Sequence, residues 1–352
     1  MKAIAYIRAA GLAALSVAVA AAAGAEEFYK DKTVTLIVGY SAGSNYDAAG
    51  RLLARHYGRN IPGKPGIIVK NMPGSSSLKL ANYLYNVAAK DGLVIGSIRN
   101  GMAFEEIYGN KAVRFEALKF NWLGSMAQTT GSCVIWHTAP AKTLDDVKKV
   151  EIVTGAIGTT ASLAMYPRAL NAMLGTKFKV VVGYTGTDTM LAMERGETQA
   201  RCGGDWDALR AVKPDWFRDN KIRLLAQMTN VKHPELQNAP WVFDYVKKKD
   251  DVQTLELIFA SQEFGRPFVA PPGIPAERLN ELRRAFDATM KDPGLKADGA
   301  RMKMGLIGPM TGEKMLERIA YFHKMPKEIV ARVKSFQKAQ KGESKIERKK
   351  KK

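Results

Sequence analysis

A serine between two glycines is the first residue in the chain whose surroundings could support chemistry. Gly39-Tyr40-Ser41-Ala42-Gly43 fits G-x-S-x-G, the pattern that presents a nucleophilic serine between a strand and a helix in α/β-hydrolases. Such a serine needs an oxyanion-hole N–H from an earlier strand–helix loop, and almost no mature chain precedes Gly39. The pattern is also short and common by chance. We therefore keep an exported hydrolase with Ser41 as nucleophile only as the alternative interpretation.

The same loop is better suited to holding an anion. The run Thr33–Gly39 is apolar and β-branched, which predicts a buried strand, and Ala48–Arg59 has the apolar periodicity of a helix. The loop between them offers Ser44, Asn45 and Asp47 as helix caps. The first N–H groups of a helix have no intrahelical partners, and the helix dipole favours negative charge there. We therefore expect the loop Ser41–Asp47 to hold part of a small carboxylate ligand.

The first 25 residues are typical of a secretory signal. Lys2 and Arg8 give a basic start, an alanine-rich apolar run follows, and Ala23-Gly24-Ala25 fits a cleavage site. No cysteine lies near that site, so we expect a periplasmic protein without a lipid anchor. The two cysteines, Cys133 and Cys202, would meet an oxidising compartment and could form a disulfide, although two buried free thiols are the other interpretation.

The net charge of +20 is not typical of a nucleic-acid-binding surface here. The signal contributes two positive charges, and residues 338–352 contribute six, from eight Lys/Arg against Glu343 and Glu347. We expect that basic tail to be solvated and disordered. The remaining charge is spread along the chain without a basic stripe interleaved with aromatic residues. Export also argues against nucleic acid, whereas a positive body favours the capture of anions.

Two series of alternating strands and helices follow one another along the chain, which predicts two α/β domains with parallel strands. Ligands of such sheets bind beyond the carboxyl ends of the strands. In the first series, small polar loops follow three strands, at Ser41–Asp47, at Ser75 and Ser76, and at Arg99 and Asn100. In the second, loops of the same kind contain Thr159, Thr160 and Ser162, then Tyr184, Thr185 and Gly186, and finally Asp205. Any one of them could be an ordinary capped turn. Their repetition favours a cleft between two domains.

Six motifs, in order, resemble those of the substrate-binding receptors of tripartite tricarboxylate transporters, the Bug family. The resemblance extends from about Phe28 to about Glu317. The motifs are Thr35-Leu36-Ile37-Val38, Ser41–Asp47, Asn71-Met72-Pro73-Gly74-Ser75-Ser76-Ser77, Asp91-Gly92, Tyr184-Thr185-Gly186-Thr187 and Ala270-Pro271-Pro272-Gly273-Ile274-Pro275.

The resemblance implies a periplasmic-binding-protein (Venus flytrap) fold whose two α/β domains close on a small organic acid, without catalysis or a cofactor. The family's ligand contacts correspond to Ser41, Gly43, Ser44, Asn45 and Asp47 in the first domain. In the second domain they correspond to Thr159, Thr160, Ser162, Tyr184, Thr185, Gly186 and Asp205. The implied partners are the ligand and the permease subunits of a tripartite transporter, and we expect a monomer. A sensing receptor without transport is left open.

The expected boundaries are a signal peptide at 1–25, a discontinuous first domain at 26–130 plus 255–337, a second domain at 131–254, and the basic tail at 338–352. No His/Cys/Asp/Glu cluster has the spacing of a metal site. Ser44-Asn45-Tyr46, Ser75-Ser76-Ser77 and Thr187 stand where the family often has glycine or alanine. These side chains narrow the expected cleft, so a smaller, more polar acid, or an aromatic acid stacked on Tyr46 or Trp206, is as consistent with the sequence as a dicarboxylate.

Overall fold

A computed structural model describes residues 28–340 and 342–346. The expected signal peptide and the final lysine run lie outside the described residues. The described chain forms two compact units. Unit 1 comprises residues 28–106, 111–127 and 266–319, and unit 2 comprises 107–110, 128–265 and the residues from Ala320 onward.

The strands of unit 1 form a mixed six-stranded sheet in the order β11-β4-β10-β3-β1-β2. The strands β1, β2 and β3 run parallel to one another, and β10 lies antiparallel between β3 and β4. Their bounds are β1 Thr33–Val38, β2 Gly66–Asn71, β3 Val94–Ser97, β4 Asn121–Ser125, β10 Pro267–Ala270 and β11 Met310–Thr311.

Strand β1 lies between β3 and β2, and residues on both of its faces are buried. Val34, Leu36 and Val38 on one face have no exposed area, and Ile37 on the other is 7 % exposed. A parallel strand covered by helices on both faces has this nearly continuous apolar sequence. The core around it joins side chains from two helices, α1 (Asn45–Tyr57) and α9 (Ala276–Lys291), among them Leu52, Leu53 and Phe286.

The strands of unit 2 form a second six-stranded sheet in the order β12-β7-β6-β8-β5-β9. The strands β12, β7, β6 and β8 are parallel in succession, whereas β5 is antiparallel to both β8 and β9. Their bounds are β5 Gly131–Trp136, β6 Ile152–Ala156, β7 Phe178–Val182, β8 Ala200–Asp205, β9 Ile222–Met228 and β12 Ser344–Lys345.

Twelve α-helices connect or cover the strands in the described part of the chain. In chain order they are α1 Asn45–Tyr57, α2 Leu78–Asn86, α3 Leu144–Val147, α4 Ser162–Leu174, α5 Gly186–Glu194, α6 Trp206–Val212, α7 Pro214–Arg218, α8 Lys249–Phe259, α9 Ala276–Lys291, α10 Pro293–Arg301, α11 Gly312–His323 and α12 Lys327–Phe336. Within the described residues, none of these helices has the length and apolar character needed to cross a membrane.

The unit boundaries differ from those expected from the sequence. Residues 255–265, the end of the helix Gly312–His323 from Ala320, and the helix Lys327–Phe336 belong to unit 2, not to the first domain. The reason is a set of contacts that the sequence does not reveal. Helix α8 packs with α12, where Arg332 pairs with Asp251 at 2.6 Å, and Gln262 accepts a hydrogen bond from the Gly131 N–H of β5 at 2.6 Å.

Apolar periodicity predicts Ala48 with Leu52 and Leu53 on one face of the first helix, and Val87 with Leu80 and Leu84 on one face of the second. In the structure, Ala49 rather than Ala48 lies on the fully buried face of α1. Val87 is 69 % exposed. The cause is that α2 ends at Asn86 and Val87 has a non-helical φ of −123°, which turns its side chain away from that face.

The expectation of a disordered tail from Lys338 is wrong for part of that segment. Residues 344 and 345 form β12 at the edge of the unit 2 sheet, and the Ile346 N–H donates to the Val182 carbonyl at 2.9 Å. Edge strands offer unpaired backbone groups, and β12 covers those of β7.

Candidate functional site

In unit 1 the loop between β1 and α1 is ordered by a single carboxylate. Asp47 is 3 % exposed, and its Oδ2 accepts from the Gly43 N–H at 2.9 Å and from Arg51 Nε at 3.0 Å. Its Oδ1 accepts from Asn71 Nδ2, the last residue of β2, at 2.8 Å. Ser44 caps the helix by accepting from the Asp47 N–H at 3.2 Å. Asp47 therefore positions the loop, while Ser41, Gly43 and Asn45 remain exposed.

Burial tends to raise the pKa of Asp47, but the hydrogen bonds from Arg51, Asn71 and Gly43 outweigh it and lower the pKa below its ordinary value. The carboxylate therefore stays charged near neutral pH. A charged, fully hydrogen-bonded aspartate at the first turn also suits the positive end of the α1 dipole.

The loop after β2 contains an uncommon backbone conformation. Ser75, Ser76 and Ser77 have successive φ values of +46°, +51° and +71°, in the left-handed region. Residues with a Cβ seldom occupy this region, and such strain clusters at binding sites. The Ser77 Oγ accepts from the Arg99 N–H at 2.8 Å, which joins this loop to the one after β3.

The loop after β3 is tied back to the first loop through an aromatic pair. The Asn100 N–H donates to the Tyr46 hydroxyl at 3.1 Å, and the Tyr46 ring stacks on Tyr40 with centroids 4.6 Å apart. The guanidinium carbon of Arg266 lies 5.3 Å from the Tyr46 ring centroid. All three unit 1 loops expected from the sequence thus meet at the carboxyl ends of β1, β2 and β3.

In unit 2 the loop after β6 leads into α4 against the backbone of β8. The Ser162 Oγ donates to the Gly203 carbonyl at 2.7 Å. Gly203 has a φ of +118°, and a Cβ there would lie 2.6 Å from the Ser162 carbonyl, so this close approach requires glycine. Thr159 and Thr160 stay exposed in the loop.

The loop after β7 ends in a capping box. The Thr185 Oγ1 accepts from the Asp188 N–H at 3.2 Å, and the Asp188 carboxylate accepts from the Thr185 N–H at 3.2 Å. The half-buried Tyr184 ring packs over Gly155, where a Cβ would lie 3.1 Å from it. Thr185 and Gly186 are exposed at the start of α5.

Strand β8 carries two opposite charges, Asp205 at its carboxyl end and Arg201 near its start. The Asp205 Oδ1 caps α6 by accepting from the Ala208 N–H at 2.8 Å, and its Oδ2 accepts from the Thr130 N–H at 3.1 Å. Asp205, like Asp47, thus bonds to the protein's own backbone. Arg201, four residues earlier, places its Nε 3.5 Å from the Thr189 Oγ1, and its buried Nη1 has no hydrogen-bond partner.

Arg201 is a candidate site residue that the sequence analysis did not include. Burial lowers its pKa, and the charge of Asp205 opposes that shift. A guanidinium with an unsatisfied N–H in a partly buried setting favours an anionic partner. The only signal in the sequence was a cation within an apolar strand end, which by itself has many explanations.

The hydrolase interpretation gains no support from the arrangement of the nearest histidine in the chain. His56 Nε2 lies 2.8 Å from Asp298 Oδ2, and its Nδ1 is 2.7 Å from Arg59 Nη2, so both ring nitrogens are engaged away from Ser41. No group of three or more His, Cys, Asp or Glu among the described residues could hold a metal ion.

The two cysteines meet across neighbouring strands of unit 2. Cys133 of β5 lies opposite Cys202 of β8 in the sheet register, and the structure joins them as a disulfide. The bond spans 69 residues of sequence, including β6, β7 and the loops around Thr159 and Tyr184.

No family model matches this chain. The chain is 23 % identical over 314 residues to "UPF0065 protein in gbd 5'region" from Cupriavidus necator, which covers 85 % of this chain and 88 % of that protein. It is 25 % identical over 280 residues to "UPF0065 protein in the TAR-I ttuE-ttuC' intergenic region" from Agrobacterium vitis, covering 77 % and 75 %.

Solved structures show the same fold. A TctC solute binding protein from Polaromonas superposes with a TM-score of 0.69 at 19 % identity, over 86 % of this chain and 99 % of that one. The periplasmic binding protein BugD gives 0.56 at 17 % identity, over 90 % and 100 %. MatC from Rhodopseudomonas palustris, solved with bound malate, gives 0.53 at 16 %, over 87 % and 99 %. The chain therefore has a periplasmic-binding-protein fold, and its resemblance to the solute-binding receptors of the Bug and TctC type is confirmed.

Proposed function

We propose that this protein is an exported, non-catalytic receptor that binds a small organic acid and delivers it to the permease subunits of a tripartite tricarboxylate-type transporter. The observation that carries the proposal is the repeated arrangement at the carboxyl ends of the parallel strands in both units. In each unit, a short loop with exposed hydroxyl residues joins the carboxyl end of a strand to a helix with a side-chain cap. This chemistry suits a carboxylate.

Unit 1 contributes an ordered set of backbone donors. Because Asp47 holds the loop through Gly43 and Asn71, the exposed residues Ser41 and Asn45 are pre-arranged before a ligand arrives. Pre-arranged groups lose less conformational entropy on binding. The stacked Tyr40–Tyr46 pair adds an apolar surface for the carbon skeleton of the acid.

Unit 2 contributes a cation and further hydroxyls. Arg201 supplies a guanidinium beside Thr189, and the exposed Thr159, Thr160 and Thr185 supply hydroxyl groups. These groups suit the same class of ligand, a small carboxylate, as the donors of the unit 1 loop. One structural relative was solved with malate, and malate is therefore the first probe.

The test is a binding screen of the mature protein by thermal shift and calorimetry, with malate, longer dicarboxylates, amino acids and aromatic carboxylates. A ligand at a hundredfold excess over its Kd stabilises the native state by about 2.7 kcal/mol, which raises the melting temperature. Arg201→Gln is expected to weaken binding of the best acid roughly ten- to hundredfold, since hydrogen bonds to charged groups contribute about 1.5–3 kcal/mol.

Arg195→Gln is the matched control. Arg195 lies at the far end of α5, is 67 % exposed, and pairs only with the surface residue Glu197 at 3.7 Å. Its loss is expected to leave affinity unchanged. A wild-type protein that binds no acid, but hydrolyses esters in a way that Ser41→Ala abolishes, would overturn the receptor proposal and restore the hydrolase interpretation.

A further inference from the structure

Arg168 of α4 is a fully buried arginine whose donors all point to other parts of unit 2. Its side chain has no exposed area. Nε and Nη2 donate to the two carboxylate oxygens of Glu343 at 2.5 and 2.6 Å. Nη1 donates to the Thr159 carbonyl at 2.6 Å and to the Phe336 carbonyl at 2.7 Å. The guanidinium thus joins three separate segments of chain.

Two of those segments have a bearing on the candidate site. Thr159 lies in the exposed loop after β6, and Glu343 directly precedes β12 in the C-terminal segment (residues 342–346). The Glu343 side chain is only 9 % exposed, so the ion pair is shielded from water. A buried ion pair of this kind keeps its geometry when every donor of the guanidinium has an acceptor. Loss of Glu343 or Arg168 would leave the charge of the other residue buried without a partner.

The C-terminal segment also reaches the second loop of unit 2. Strand β12 pairs in parallel with β7, with Ser344 opposite Val181 and Lys345 opposite Val182. Ile346 then lies beside Gly183, where a Cβ would come within 3.5 Å of it. Gly183 precedes Tyr184 and begins the loop that leads to the Thr185 cap. The segment therefore contacts one candidate loop directly and the other through Arg168.

We propose that Glu343 and Arg168 are positioning residues for the unit 2 ligand loops, and that the chain through Ile346 is required for full ligand affinity whereas the lysine run after it is not. The expected effect on ligand affinity rests on the proposed function, whereas the expected effect on the order of the two loops does not. The two residues contact no ligand in the proposal. They fix the Thr159 backbone and the edge strand from which the Tyr184 loop departs.

The test is hydrogen exchange without ligand, followed by affinity for the best acid of the screen. In Glu343→Gln, amide exchange in residues 157–163 and 183–188 is expected to accelerate by at least tenfold, and affinity to fall by a similar factor. Glu343→Asp is expected to restore part of both, since it keeps the charge. A chain that ends after Glu347 is expected to match the full chain in both measurements at physiological salt.

The control removes a comparable ion pair of unit 2 that touches neither loop. Asp251→Asn breaks the pair between α8 and Arg332 of α12. It is expected to leave exchange in residues 157–163 and 183–188 unchanged, so faster exchange there in Glu343→Gln is not simply the result of a weaker unit 2. A double variant, Arg168→Met with Glu343→Gln, addresses folding, because it leaves no unpaired buried charge.

Unchanged exchange of both loops in Glu343→Gln would overturn the positioning proposal, whatever the protein binds. Exchange that rises equally throughout unit 2 would also overturn it, because the pair would then only stabilise the unit. Accelerated exchange confined to the two loops supports it. If the wild-type protein binds no acid, the proposed function fails while the exchange result still decides the positioning proposal.

Discussion

Asn71 ends β2 with its side-chain amide shared between the Asp47 Oδ1 at 2.8 Å and the Tyr40 carbonyl at 2.9 Å. One residue of the second strand thereby fixes both the carboxylate and the backbone of the loop after the first strand. The amide of this asparagine, the first residue of the Asn-x-Pro-Gly motif, thus donates its hydrogen bonds to groups of the protein itself. The order of this loop in unit 1 therefore depends on the link between Asn71 and Asp47.

The stability of unit 1 is expected to fall in acid partly through Asp47. Since the pKa of Asp47 in the folded state is lowered, its contribution is present above the unfolded pKa, about 4, and is lost as the pH falls through the folded value. Asp47→Asn should reduce the free energy of unfolding at pH 7 and flatten its decrease below about pH 4. Denaturant unfolding at pH 7, 4 and 3 measures this. Asp145→Asn, an exposed aspartate of α3, serves as control, and an equally flat profile in that variant would contradict the assignment.

Gly39→Ala is expected to destabilise the protein and to disturb the turn formed by Ser75, Ser76 and Ser77. A Cβ at position 39 would lie 2.3 Å from the Ser77 Cβ and 3.0 Å from its Cα, and backbone cannot move aside cheaply. Overpacking of this kind costs roughly 1–3 kcal/mol. Thermal unfolding measures it. Gly66→Ala in the same unit is the control, because its nearest neighbour is 3.8 Å away. Equal melting temperatures of the two variants would contradict this packing.

Ser76→Gly is expected to stabilise the protein by up to about 1 kcal/mol, because glycine adopts a positive φ without the steric cost of a Cβ. The unfolded chain of the variant has more freedom, which offsets part of the gain. Ser335→Gly in the last turn of helix α12 should have the opposite sign, since serine has a higher helix propensity than glycine. Urea unfolding of both variants decides the matter, and a destabilised Ser76→Gly would show that the hydroxyl contributes more than the strain costs.

Loss of the Cys133–Cys202 disulfide is expected to reduce stability by roughly 2–4 kcal/mol, because the bond restrains a long loop in the unfolded chain. On reduction, the free energy of unfolding of the wild-type protein should fall by this amount. A variant with both cysteines replaced by alanine should have the same free energy of unfolding with and without reductant. Mass spectrometry of alkylated, unreduced protein checks the bond itself. Two alkylated thiols in freshly exported protein would contradict it.

Much of the architecture follows from local sequence. The expected first strand, Thr33–Gly39, is confirmed as β1 Thr33–Val38, and a helix capped by Ser44 follows it, although this helix begins at Asn45 rather than at Ala48. Periodicity and capping act between neighbours in the chain, so local sequence determines both. The positions of Ser41–Asp47 and Tyr184–Gly186 at the carboxyl ends of parallel strands follow for the same reason. The ligand roles of these residues stay a prediction.

Tertiary structure alone decided which distant segments meet. Residues 255–265 join unit 2 through Gln262, and Glu343 of an expected loose tail finds the buried Arg168. The carboxylates of Asp47 and Asp205 accept hydrogen bonds from the protein's own N–H groups, and Arg201 adds an unanticipated cation whose Nη1 lies beside Gly204. Local pattern determined which side chains stand at the strand ends, because it depends on residues a few positions apart. Contacts between residues further apart in the chain, such as Asp47 with Asn71 and Asp205 with Thr130, determined what those side chains bind, because only packing of the whole chain sets their burial and partners.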